Sequence, residues 1–346
     1  MRKSKAQYLQ AAVLAWLTLG AAHQAKAASH DLQVYFIDVD GGQSTLFVTP
    51  AGKSLLIDTG WAGNNGLDAG RIAAAAKDAG VSKIDYLLLT HYHADHVGGL
   101  PELLARMPVG TFIDHGPDSP TDSTTKKAYP AYQALLANGH YGHITPKPGD
   151  ALPIPGIKAV VISSNGELLN HALPGAGQPN AYCKDSETRP EDQTDNARSL
   201  GTLFTFGKTR ILDLGDLTWD KEMQFMCPAN RLGKVDILVV SHHGVFQSSS
   251  PALVDAIAPR IAIMNNGAKK GGSTPTFETL AKAPGLETLW QLHFSDEAGS
   301  HNTAAQYIAN PTGPDVANYL KLTVSPNGSF KVFNSRTGET KDYPAR

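Results

Sequence analysis

Apolar positions along the chain fall in short runs broken by turn residues, a pattern that predicts many short strands and fewer helices. Leu32 to Ile37 (LQVYFI), Ser44 to Val48 (STLFV) and Ser54 to Ile57 (SLLI) read as three successive strands, with Gly41-Gly42 and Pro50-Ala51-Gly52 as the turns. Leu67 to Ala79 is Ala-rich and is followed by Gly80, which predicts a helix with a glycine stop. Ile84 to Thr90 is nearly all apolar, as a strand buried on both faces would be. Val97 to Met107 returns to a helical pattern with Pro101 in its first turn.

Beyond this point the order loosens. Asp114 to Thr125 is rich in Pro, Ser, Thr and Asp and predicts a loop, followed by a helix over Ala128 to Asn138 and a strand over Ile157 to Ser163. Gly166 to Ala197 is a long polar stretch containing Pro174, Pro179 and Pro190, and a loop of that length in a compact domain reads as an insertion or a lid over a cleft. Strands are then predicted at Leu200 to Phe206, Arg210 to Leu214, Val235 to Ser241, Ile261 to Met264, Leu286 to Leu292, Leu320 to Val324 and Phe330 to Phe333. Helices are predicted at Ser250 to Ala258 and Thr274 to Lys282. Strand runs followed by alternating strands and helices, twice over, point to two β-rich halves, each flanked by helices, instead of one doubly wound sheet.

The start of the chain has a different character. Arg2, Lys3 and Lys5 precede an apolar run from Ala11 to Ala22, and Ala25-Lys26-Ala27 supplies small residues for a cut after Ala27 or Ala28. Residues 1–28 therefore read as an export signal, with an uncleaved anchor as the alternative. The run is shorter than the roughly 20 residues that span a bilayer, so no stable membrane insertion is expected once the signal is removed. The mature chain, residues 29–346, is expected in the periplasm or outside the cell. Cys183 and Cys227 are the two cysteines, and the sequence leaves open whether they pair. With 30 basic and 32 acidic residues the formal net charge is −2, which supplies no strong field toward long polyanions.

The chemistry concentrates in Thr90-His91-Tyr92-His93-Ala94-Asp95-His96-Val97-Gly98-Gly99. Four side chains able to bind a metal fall within six positions at the end of a buried strand. A loop there can turn His91 and His93 to one point and Asp95 and His96 to another. Imidazole and carboxylate suit Zn²⁺, Mn²⁺ or Fe. A merely exposed polar loop does not need this density of ligands.

The HxHxDH-Gly-Gly pattern resembles the signature of the metallo-β-lactamase superfamily. Asp58-Thr59-Gly60, Gly215-Asp216 and His242 follow in the order of that family's remaining motifs. The resemblance implies an α/β fold, a four-layer αββα sandwich, in which His91, His93, Asp95, His96, Asp216 and His242 hold two divalent metals. Zn is the first candidate, with Mn or Fe as alternatives, and Asp216 is the bridging carboxylate. Asp38-Val39-Asp40-Gly41-Gly42-Gln43-Ser44, Asn196-x-x-Ser199-Leu200 and Ser241-His242-His243-Gly244 further resemble the hydrolase part of ComEC-type competence proteins and related phosphorylcholine esterases, as a free-standing, exported relative.

One position departs from the superfamily pattern. The third histidine of the first metal, about twenty residues before the bridging Asp, is here Asn196. The first metal is then left with His91, His93 and Asp216 as strong ligands, with His171 in the long loop as a substitute; the second takes Asp95, His96, Asp216 and His242. His243 is expected as a general acid or as a structural histidine, and Asp95 as the residue that orients the attacking water. The resemblance implies hydrolysis of a phosphodiester or other small-molecule substrate through water activated between two metals. Nucleic acid is one candidate partner, and Lys269-Lys270-Gly271-Gly272 is either a phosphate contact or a solvated loop. Hydrolysis of a lactam, lactone or thioester is the alternative chemistry, and a binding protein that has lost catalysis is the non-enzymatic one.

Overall fold

A computed structural model describes residues 30–312 and 317–346. The expected export segment, residues 1–28, lies outside the described residues. Two sheets form the centre. The first has nine strands, in spatial order Thr340–Tyr343, Phe330–Asn334, Leu320–Val324, Leu32–Phe36, Thr45–Val48, Ser54–Ile57, Ile84–Leu88, Val109–Ile113 and Gly142–Ile144. The second has eight: Ile308–Asn310, Thr288–His293, Ile261–Met264, Ile237–Val239, Thr209–Asp213, Gly201–Phe206, Lys158–Ser164 and Glu167–Leu168.

Strand alternation explains how both faces are filled. In Leu32–Phe36, the side chains of Leu32, Val34 and Phe36 enter the layer between the sheets, where Phe47 and Phe204 meet at 4.6 Å between ring centroids. Tyr35 of the same strand faces the other way, toward Ile72, Ala75 and Ala76 of helix Leu67–Ala79. In Ile261–Met264, Ile261 and Ile263 face the inter-sheet core, while Ala262 and Met264 meet the outer cluster with Phe225, Leu253, Ile257 and Leu280. Those four come from helices Trp219–Met226, Pro251–Ile257 and Thr274–Lys282. The result is helix, sheet, sheet, helix: the αββα sandwich.

Two expectations are corrected. The helix over Val97 to Met107 is two short pieces, Ala94–Val97 and Leu100–Leu104. Gly99 donates its N–H to the Gly60 carbonyl instead of continuing the helix, and Pro101 has no N–H to give. A Cβ at Gly98 would lie 2.2 Å from the Ala94 oxygen and one at Gly99 2.2 Å from the Thr59 oxygen, so only glycine lets this turn pack so closely. The two expected β-rich halves are present, and the chain ends in the first of them, where Leu320–Val324 returns to pair antiparallel with Leu32–Phe36. Finally, Gly166–Ala197 is not a bare loop. It carries short strands at Glu167–Leu168 and Gln178–Pro179 and 3₁₀ turns at Ala181–Asp185 and Asp195–Arg198.

The insertion is held down on the outer helices. Cys183 is disulfide-bonded to Cys227, just past helix Trp219–Met226. The Asn180 side-chain amide donates to the Met226 and Ala252 carbonyls at 3.0 and 2.8 Å. The Arg189 guanidinium lies 3.6 Å from the Trp219 ring and 5.6 Å from that of Phe246. No helix among the described residues is long and apolar enough to cross a membrane.

Candidate metal centre

Strands Ser54–Ile57 and Ile84–Leu88 run parallel in the first sheet, as do Thr209–Asp213 and Ile237–Val239 in the second. The loops leaving them therefore emerge at the same end of the sandwich. They carry Asp58, the His91–His96 segment, Asp216 and the pair His242-His243. Short loops on buried strands are rigid supports for a site.

Asp216 is the hub. One of its carboxylate oxygens, Oδ2, faces four imidazole Nε2 atoms: His96 at 3.3 Å, His243 at 3.4 Å, His242 at 3.5 Å and His91 at 3.8 Å. Ligand atoms of Asp95, His96, Asp216 and His243 all lie within 4.8 Å of one another, and all four residues are buried. Burial would raise the Asp216 pKa, but His243, His96 and His242 hold it well below the usual carboxylate range. His91 is pushed well below the ordinary histidine value by burial and by neighbouring His96 and His93, so it is a neutral imidazole.

Each imidazole is steered through its other nitrogen. His96 donates from Nδ1 to Asp58 at 2.7 Å, and Asp58 in turn accepts from the Thr90 N–H and hydroxyl at 2.8 and 2.6 Å. His243 Nδ1 lies 3.2 Å from the Asn265 carbonyl, and His242 Nδ1 lies 3.3 Å from the Ser248 hydroxyl. His91 Nδ1 is 3.2 Å from the Thr90 hydroxyl. His93 is reversed: its Nε2–H donates to Asp122 at 2.7 Å, which leaves Nδ1 with the lone pair. Outer partners of this kind fix tautomer and ring direction at metal sites.

The donor set fits divalent metal. His91 Nε2, Asn196 Oδ1 and Asp216 Oδ1 are buried polar atoms without a hydrogen-bond partner, and buried polar groups are rarely left so unless something else takes them. Neutral imidazoles and ionised carboxylates are the form in which these side chains bind Zn²⁺-type ions.

The expected pair His242-His243 is arranged differently from a strand. The strand ends at Val239, and both histidines sit in the left-handed region, at φ 55° and 54°. Alternation no longer separates them, and both rings turn into the cleft. His243, not His242, joins Asp95 (3.1 Å) and His96 (3.2 Å). His242 instead meets the Asn196 amide at 3.4 Å. His171, considered as a substitute ligand, is exposed and bonded to Asn170; His293 pairs with Asp38 at 2.6 Å.

Sequence reasoning missed Asp122 and Asp195. Asp195, at the end of the insertion, accepts from the backbone N–H groups of Tyr92 and Ser119 at 2.8 and 2.7 Å, and its own N–H donates to Asp122 at 2.9 Å. The two carboxylates thus tie the insertion and the Asp114–Thr125 loop to the ligand segment. In the sequence they look like any other loop Asp. Asp122→Asn is expected to weaken metal retention about 10–100-fold without unfolding the protein. Titration with a competing chelator would measure this, and unchanged affinity would remove Asp122 from the site.

Residues 38–175 match the family model of the metallo-beta-lactamase superfamily. The chain is similar to Recombination protein 2 of Haemophilus influenzae, 26% identical over 238 residues, which is 68% of this chain and 24% of that protein. It is also similar to hydroxyacylglutathione hydrolase of Xylella fastidiosa, 34% identical over 100 residues, 29% of this chain and 31% of that protein. The chain thus matches a quarter to a third of the length of these relatives. Among solved structures, the diiron β-hydroxylase CmlA of Streptomyces venezuelae aligns with a TM-score of 0.38 at 15% identity, covering 73% of this chain and 47% of that one. The family match and the αββα architecture together identify a metallo-β-lactamase superfamily domain in this chain.

Proposed function

We propose that the protein is a dinuclear metal-dependent hydrolase acting on phosphodiesters. The observation that carries the two-metal reading is Asp216 Oδ2, a single oxygen faced by four imidazoles from two loops. On one side His96, His243 and Asp95 would hold one metal. On the other His91, His93 and His242 would hold the second, with His242 in the place that Asn196 leaves short of a histidine. Both share Asp216. His243 is thereby reassigned from general acid to ligand, and His242 from the second metal to the first. Zn is the favoured ion, with Mn or Fe as alternatives.

Bound metals supply a low-pKa water and a Lewis acid at the attacked centre. The chain's own residues do the remaining work. Asp95, buried within the cluster, would orient the attacking water. Lys270 reaches the same carboxylate from the opposite loop and meets the negative charge of a substrate phosphate. Burial keeps bulk water from the cluster, which strengthens each of these electrostatic contacts.

Phosphodiester is preferred over thioester because cationic Lys270 stands directly beside the cluster, and because the relative matched over the longer stretch is named a recombination protein. The thioester reading is favoured by one specific likeness, that to hydroxyacylglutathione hydrolase over 100 residues. The Cys183–Cys227 disulfide supports a periplasmic or secreted location, where such bonds persist. The test is turnover by the purified, metal-supplemented protein of bis-p-nitrophenyl phosphate, a glutathione thioester and nitrocefin side by side. Cleavage of the phosphodiester is the expected result; cleavage of the thioester or nitrocefin alone would overturn the substrate class and leave the metal centre standing.

A further inference from the structure

Beside the metal cluster, the loop after strand Ser54–Ile57 and the loop 267–272 enclose a cavity of about 370 Å³ whose lining includes Asp40, Trp61, Asp68, Arg71, Lys269 and Lys270. It lies within the size range of small-ligand sites, about 300–1,000 Å³. Three large hydrophobic side chains are exposed among the described residues, and two of them, Trp61 and Leu67, line this cavity. Trp61 is fixed from below: its backbone N–H donates to Asp68 at 2.8 Å.

Lys270 joins the cavity to the cluster. Its ammonium touches Asp95 and lies 4.9 Å from the centre of the Trp61 ring. The loop that carries it has no slack. Gly267 donates to the Lys270 carbonyl at 2.8 Å, and Gly272 donates to that of His243 at 2.9 Å. A Cβ at Gly271 would lie 2.2 Å from the His243 oxygen, and one at Gly267 2.7 Å from the Asp40 backbone carbon. The lysine is thus built into the same packed unit as a metal-centre histidine, and Lys269 beside it is exposed.

Three kinds of group meet here: an aromatic face, carboxylates, and the cations of Lys269, Lys270 and Arg71, the last paired with Asp38. An acyl chain would cover Trp61 but would strip water from Asp40, Asp68 and the lysines without offering them a polar group, which is costly even where Asp68 and Lys270 already hold one partner each. A simple polyanion would meet the lysines and be repelled by the two carboxylates. A nucleotide matches all three, through a flat base, hydroxyl and N–H donors, and a phosphate.

We propose that this cavity binds the nucleoside monophosphate portion of the substrate, with the base stacked on Trp61 and the phosphate drawn to Lys270. The assignment rests on the phosphodiesterase reading above and narrows it to nucleotidyl esters.

The experiment compares thymidine 5′-(p-nitrophenyl phosphate) with methyl p-nitrophenyl phosphate as substrates of the metal-supplemented protein and of its Trp61→Ala, Trp61→Phe, Lys270→Ala and Lys270→Arg variants. Binding of thymidine 5′-monophosphate is measured by calorimetry on the same proteins. The nucleoside ester is expected to be preferred. Trp61→Ala should raise its KM about tenfold with kcat little changed, while KM for the methyl ester stays put. Trp61→Phe and Lys270→Arg should retain most of the preference and serve as folded controls. Equal use of the two esters, with KM unmoved in Trp61→Ala and Lys270→Ala, would overturn the subsite and leave the hydrolase reading intact. Thymidine monophosphate bound by the wild type and lost in Trp61→Ala, with no ester cleaved, would support the subsite and overturn the phosphodiesterase reading.

Discussion

Asp216→Ala is expected to lose metal and hydrolysis together. Removing the oxygen that faces His91, His96, His242 and His243 would take away the ligand that the proposed centre shares between its two metals and leave the imidazoles without the carboxylate they surround. The rate should fall by more than the 10²–10³-fold typical of losing one electrostatic stabiliser. Metal per protein, by elemental analysis, should drop from two toward none. The single-histidine variants then separate the two sides. His243→Ala should empty the side with Asp95 and His96, and His242→Ala the side with His91 and His93, each leaving about one metal. Full activity and full metal content in Asp216→Ala would sink the dinuclear reading.

The second large effect is expected at the disulfide. Cys183 and Cys227 are 44 residues apart in sequence, and closing a loop of that length stabilises a fold by about 2–4 kcal/mol, chiefly by restricting the unfolded chain. The Cys183→Ser/Cys227→Ser protein should melt lower by about 3–6 °C. The loss should also be felt at the metal centre. The insertion that the disulfide anchors ends in Asp195, which holds the Tyr92 N–H, and in Asn196, which touches His242. Metal on the His91, His93 and His242 side is therefore expected to weaken more than metal on the His96 and His243 side. Calorimetric melting and metal titration of the double variant test both parts; an unchanged midpoint would show that Arg189, Asn180 and their neighbours hold the insertion unaided.

The candidate ligands divide by how their information is stored. His91, His93, Asp95 and His96 are legible because one loop carries them all, at a spacing that has no ordinary structural use. Asp58 and Asp216 are legible through position, each at the end of an apolar strand run. His242 and His243 were not separable, because the alternation that would sort them holds only while the chain is extended, and both residues adopt φ near +55°. That conformation depends on contacts made elsewhere: the His242 N–H bonds the Gly215 carbonyl, and the Gly272 N–H bonds the His243 carbonyl. Asp122 was invisible for a related reason. Its partner His93 lies 29 residues away, and nothing local distinguishes it from a turn aspartate.

Secondary structure followed the same division. Helices Leu67–Ala79, Ala128–Asn138 and Thr274–Lys282 and strands Ser54–Ile57, Ile261–Met264 and Leu320–Val324 begin and end where the local pattern puts them, since apolar period and stop residues act over a few positions. Strand Val109–Ile113 and helix Trp219–Met226 escaped notice. The first is interrupted by Gly110 and Thr111, and the second carries Asp220, Lys221 and Glu222 in its first turn, polar residues that are nonetheless buried. What the sequence by itself determined was the sandwich's raw material and the ligand loop, because hydrophobic period and ligand density are local properties. The tertiary structure alone decided that His243 meets Asp95 and His96 while His242 meets Asn196, how the insertion is pinned, and that Trp61 and Lys270 meet beside the cluster. Those are distances between segments far apart in the chain, and they exist only once the two sheets have packed.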